Sequence, residues 1–79
     1  MTIRQIDALG LKCPLPVLKA EALLQSIGPG EAFDLLANDP IARVDVVHFC
    51  RTHGHEVDLS EVDGTLRFRI TKAGAEKPY

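Results

Sequence analysis

Leu11-Lys12-Cys13-Pro14-Leu15-Pro16-Val17 joins a short extended segment to an amphipathic helix, and a cysteine sits at the join. A residue that precedes proline is pushed away from helical geometry, so Cys13 is expected to be extended. Pro14 suits the first helical position, where a backbone N–H would have no partner in any case. This reading seats Cys13 at the helix cap, with its sulfur near the positive end of the helix dipole. That field favours the thiolate, the nucleophilic form of cysteine. Lys12 and Lys19 add positive charge nearby in sequence. Pro14 and Pro16 stiffen the first turn, which suits a nucleophile presented to partners.

Upstream, Ile3 to Ala8 reads as a strand that Gly10 breaks. Downstream, the first helix is expected from Pro14 to Ile27. Val17, Ala20, Leu24 and Ile27 form its core stripe, with Leu23 on the flank and Gly28-Pro29-Gly30 as its end. Leu15, Leu18 and Ala22 lie on a different face. Exposed leucines are ordinary there, or Leu15 and Leu18 make a small docking surface beside Cys13.

Glu31 to Ala37 is expected as a strand with Phe33, Leu35 and Ala37 on one face. Asp39 then caps a second helix with Pro40 in its first position; it runs to about His53, with Gly54 as its stop. Ala42, Val46, Phe49, Cys50 and His53 share one face of it. His55 to Leu59 alternates as a third strand, Asp63-Gly64 is a hairpin turn, and Leu66 to Ile70 forms the last strand. The order βαβαββ predicts an α/β (α+β) two-layer sandwich, a mixed four-stranded sheet with both helices on one face. Glu56 and Asp58 are expected to meet Arg67 and Arg69 on the open face, as exposed pairs of small energetic weight.

The chain has 79 residues, enough for one domain with a modest core. Ordered structure is expected over about 3–72, with 73–79 as a tail. The formal charge is −2 and the basic residues are scattered, which argues against direct nucleic-acid binding. The few aromatic residues argue the same way. No apolar run approaches the roughly 20 residues of a membrane span. Met1 to Asp7 lacks the apolar core of a secretion signal, so a cytoplasmic location with free thiols is expected.

Position 16 is proline, so Cys13 has no neighbouring resolving thiol of the Cys-x-x-Cys kind. One-thiol chemistry follows, such as accepting a sulfur atom as a persulfide and passing it on. Cys50 shares the core stripe of the second helix and reads as a small buried hydrophobe, although pairing with Cys13 stays open to it. His48, His53 and His55 fit no common zinc framework, and no metal is expected. A Cys–His pair remains possible in principle, with nothing to select the histidine.

Cys13-Pro14-Leu15-Pro16, with Asp7, Gly10, Leu11 and Val17 around it, resembles the central signature of the TusA-like (TusA/SirA) family of small sulfur-carrier proteins. Asn38-Asp39-Pro40, Phe49-Cys50, Gly54-His55, Gly64, Phe68 and Ile70 extend the resemblance over about Ile6 to Lys72. It implies the same βαβαββ sandwich, similar to the C-terminal domain of bacterial translation initiation factor three, with strand order 1-2-4-3. It also implies a transient persulfide on Cys13, with no other cofactor. The sulfur would come from a cysteine desulfurase or rhodanese-like donor and go to an acceptor protein, for tRNA thiolation, molybdenum cofactor supply or sulfur oxidation. Pro14 and Pro16 would set the geometry, and Asp7, Gly10 and Lys12 would shape or tune the approach. Leu9 departs from the arginine that many members carry at that position. Monomer is the default expectation. The rival reading is a regulatory or interaction module of the same fold, without sulfur transfer.

Overall fold

The computed structural model describes residues 4–12 and 14–73. Cys13 and the expected tail beyond Ala73 therefore lie outside the described residues. The elements are β1 (Arg4–Asp7), α1 (Leu15–Leu24), β2 (Ala32–Ala37), α2 (Ala42–Thr52), β3 (Glu56–Val62) and β4 (Thr65–Thr71). They form one four-stranded sheet in the order β1-β2-β4-β3. β1 runs parallel to β2, and β4 runs antiparallel to both β2 and β3. The expected two-layer architecture and strand order are those observed.

Alternation decides which face of the sheet meets the helices. The register places Phe33 opposite Ile70 and Leu35 opposite Phe68, and all four side chains are fully buried. Ala20 and Leu24 from α1 and Ala42, Val46 and Cys50 from α2 complete this core, with Ile6, Val57 and Leu59 packed at its margin. Pro16 is also fully buried. Its role is therefore packing as well as stiffening.

The other face is polar, and its principal ion pair differs from the one expected. Arg69 donates from Nε and Nη2 to the two carboxylate oxygens of Asp34, at 2.8 and 3.0 Å. The partner is thus on β2, while Asp58 lies across from Arg69 on β3 and adds only a weaker attraction. Glu56 stands opposite Thr71, and Arg67 opposite Ser60. A carboxylate on a central strand is held among its neighbours and only 4% exposed, so the bidentate guanidinium is what keeps it charged.

Helix boundaries shift from the sequence expectation at both helices. α1 closes at Leu24, because the Ser26 N–H and hydroxyl both donate to the Leu23 carbonyl at 2.9 Å. Ile27 stays buried, but in the turn beyond the helix. At α2, Asp39 Oδ1 accepts the Ile41 N–H at 3.1 Å and its carbonyl accepts the Ala42 N–H at 2.9 Å. That Asx-type turn spans Pro40, so the helix starts at Ala42 with Ile41 as its cap residue. Gly54 ends α2 as expected. Its φ is +78°, and the Gly54 and His55 N–H groups donate back to Arg51 and Cys50, the two bonds of a Schellman closure. The hairpin turn holds both Asp63 and Gly64 at positive φ, the type I′ geometry that matches strand twist. β3 and β4 accordingly pair to the turn itself, at Val62 and Thr65.

Leu35 sits fully buried under the helices, so Leu35→Ala should lower unfolding free energy by about 3 kcal/mol, read from urea midpoints. Pairing with Arg69 holds the Asp34 carboxyl below its ordinary 3.8. A depressed carboxylate stabilises above its unfolded pKa and loses that contribution as pH falls through the folded one. Asp34→Asn should therefore be less stable at neutral pH, with a shallower loss of stability between about pH 5 and about pH 2.

Candidate functional site

The segment between β1 and α1 is held by hydrogen bonds and by Leu11, which packs against the core. Ala8 is fully buried, and its N–H donates to the Leu36 carbonyl at 2.8 Å, prolonging the β1–β2 pairing. Beyond it the chain turns outward. Asp7 Oδ1 accepts the Leu9 N–H at 2.9 Å, and the Ala8 carbonyl accepts the Leu11 N–H at 3.2 Å. Gly10 has φ +81°, and no atom would meet a side chain there. Glycine is thus required for conformation, not for space. Asn38, just past β2, reaches across 28 positions of sequence, and its Oδ1 accepts the Gly10 N–H at 2.9 Å.

Sequence reasoning named Asp7, Gly10 and Lys12 for shaping this approach, and Asp7 and Gly10 have identifiable structural work there. Lys12 is exposed, and its carbonyl accepts the Leu15 N–H at 2.9 Å. In the sequence, Asn38 belongs to Asn38-Asp39-Pro40, which carries part of the family resemblance at the entry to the second helix. A polar residue after a strand has many ordinary uses, and sequence holds no signal of its bond to Gly10.

The helix start is displaced by one residue from the expectation. Pro14 has φ −95° and ψ +17° and is the N-cap residue; Leu15 is the first helical residue and Pro16 the second. The Pro14 carbonyl accepts the Leu18 N–H at 3.0 Å, the first bond of the helix ladder. Pro14 lies in the bridge region instead of the helical one, so the cap falls on it and not on Cys13. Lys19 lies along the other flank of α1, lining a groove with Ile6, Leu23 and Ser26.

A second groove, of about 270 Å³, separates the start of α1 from α2 and is lined by Pro14, Val17, Asp45, His48 and Phe49, among others. His48 and His53 both border it, whereas His55 borders a neighbouring groove with Glu21 and Lys72. His53 Nδ1 lies 3.0 Å from the Phe49 carbonyl, which can only accept, so this nitrogen carries the proton. His55 Nδ1 instead accepts the Ala73 N–H at 2.9 Å and carries none. Among the described residues, no group of three or more His, Cys, Asp or Glu is arranged to hold a metal ion.

Cys50 is a free thiol, fully buried in the core. Burial pushes its pKa up to about 11, because the interior disfavours the thiolate. It is a packing residue.

The larger exposed apolar side chains collect at one end of the molecule. Leu9 follows β1, Leu15 and Leu18 occupy the first turns of α1, Ile41 and Val44 open α2, and Val62 borders the β3–β4 turn. The parallel strands all finish at that end, so both helices and the hairpin start from it. Leu15 and Leu18, 46% and 51% exposed, are thus part of a wider apolar rim.

The fold is a small two-layer sandwich in which a hydrogen-bonded loop leads into a first helix that opens at Pro14-Leu15-Pro16. The chain matches the sulfurtransferase TusA family over residues 4–72 and belongs to that family. Its fold is also similar to the crystal structure of a SirA-like protein from Desulfitobacterium hafniense. The TM-score is 0.83 at 29% identity, covering 90% of this chain and 99% of that one. Family membership supports a sulfur-carrier or sulfurtransferase role in general terms. Among the described residues, no helix is long and apolar enough to cross a membrane.

Iodoacetamide should modify the native protein once, at Cys13, near neutral pH. Cys13→Ser should stay unlabelled until denaturant exposes Cys50, as intact mass will show. Gly10→Ala should cost about 1 kcal/mol from its positive φ alone, measured by chemical unfolding.

Proposed function

We propose that this chain carries sulfane sulfur as a persulfide on Cys13 and relays it between proteins. Membership of the TusA family across the span that contains Cys13-Pro14-Leu15-Pro16 is the observation that supports this reading most. Attack by the Cys13 thiolate on the outer sulfur of a donor persulfide forms one S–S bond and breaks another. The electron pair leaves with the donor thiolate, so the exchange needs no external oxidant or reductant. The same exchange in reverse delivers the sulfur to an acceptor thiol.

A cysteine desulfurase or rhodanese-like protein is the donor in this reading. The acceptor belongs to tRNA thiolation, molybdenum cofactor supply or sulfur oxidation, in the cytoplasm. The apolar rim of Leu9, Leu15, Leu18, Ile41 and Val44 supports docking of such proteins at this end, since clustered exposed apolar side chains mark interaction sites. Transfer between two proteins needs both cysteines at one interface, and a rim of this kind excludes water there.

Incubation with a desulfurase and cysteine, or with thiosulfate and a rhodanese, should add about 32 Da, the mass of one sulfur atom, to the wild-type chain. The adduct should vanish in Cys13→Ser; an adduct that persists there rejects the site. Leu18→Glu should slow protein-to-protein transfer while leaving iodoacetamide labelling of Cys13 unchanged. Partner binding and cellular phenotype that are both indifferent to Cys13→Ala would favour an interaction module in place of a carrier.

A further inference from the structure

We infer that Asn38 is a positioning residue for reactions at Cys13, acting through its hydrogen bond to the Gly10 N–H. The inference rests on reading Cys13 as the sulfur carrier. Asn38 and Gly10 are both exposed, and they are joined at 2.9 Å across 28 positions of sequence. A donor N–H requires an acceptor, so the amide oxygen of Asn38 faces Gly10 and its orientation follows from the bond.

Leu11, next in the chain, packs against the core, whereas Gly10 itself does not. No packing atom would lie within 4 Å of a side chain at Gly10, and φ +81° leaves a glycine backbone that is intrinsically permissive. The Asp7–Leu9 and Ala8–Leu11 bonds are local, closing within the loop. Beside the Leu11 contact with the core, the Asn38 bond is a long-range tie of the turn, just ahead of Lys12, to the exit of β2. Asn38 follows β2 directly, and the parallel pairing of β1 with β2 brings the two loops side by side. A short polar side chain there spans the gap without entering the core, so it bears on loop position far more than on global stability.

Asn38→Ala removes the acceptor. Asn38→Asp keeps it and adds a negative charge. Sulfur loading from a rhodanese and thiosulfate, and iodoacetamide modification of Cys13, are followed against pH in all three proteins together with Tm. Asn38→Ala should load on the order of 10-fold more slowly, with Tm close to wild type. Asn38→Asp, which retains the acceptor for the Gly10 N–H, should load close to the wild-type rate across the pH range, and Asn38→Ala should not. Wild-type rates and pH profile in Asn38→Ala would overturn the inference. So would equal slowing of both variants at high pH in parallel with a fall in Tm. If wild type takes up no sulfur, the carrier reading fails, and the iodoacetamide rates of the three proteins alone decide the role of Asn38.

Discussion

Parallel pairing of β1 with β2 is the constraint on which the rest of the molecule depends. A parallel pair cannot be closed by a tight turn, so the chain must cross back through a helix. The four paired positions from Arg4–Phe33 to Asp7–Leu36 therefore demand α1, and they bring the carboxyl ends of two strands together. The functional segments of open α/β sheets lie at such ends. Here the pairing continues through the Ala8 N–H and then stops, because the chain leaves through Gly10. The loop toward the cysteine motif is thus rooted at the buried Ala8 and held further on by the Gly10–Asn38 bond and by Leu11 on the core.

The two faces of β2 meet different solutions to burial. Phe33, Leu35 and Ala37 lie fully buried on the helix side, where area removed from water does the stabilising. Asp34 points the other way and is nearly as enclosed. A buried carboxylate is tolerable only when paired and hydrogen-bonded, and the two bonds from Arg69 meet that condition. Cys50 solves the same problem differently, by staying a protonated thiol in the core. Both of its neighbours on the buried face of α2, Ala42 and Val46, are apolar, so nothing there favours a thiolate.

Exposed leucines and valines at one end make sense once the topology is known. Individually they are unremarkable on a domain this small. Their collection around the starts of α1 and α2 and the β3–β4 turn follows from strand direction: β1, β2 and β3 all point there. Leu9 is one of these exposed apolar side chains and contributes no charge. The loop from Ala8 to Lys12 is therefore shaped by the Asp7 and Asn38 side chains, by the Ala8–Leu11 backbone bond and by Leu11 against the core.

Local chemistry was readable from residues alone. Alternation placed Phe33, Leu35, Leu66, Phe68 and Ile70 inward, Asp63-Gly64 announced the hairpin, Gly54 the end of α2, and the Cys-Pro-x-Pro stretch the family. These are short-range effects, set by period, proline and glycine within a few residues. Bonds between distant parts of the chain were not readable: Asn38 with Gly10, Arg69 with Asp34, and the sharing of one end by Leu9, Ile41 and Val62. Even the cap moved from Cys13 to Pro14 because backbone angles, which composition does not specify, decide where a helix begins. Sequence by itself determined which elements form and which thiol is distinctive. Tertiary structure alone decided what holds the approach to that thiol in place, because it depends on which strand ends the sheet brings together.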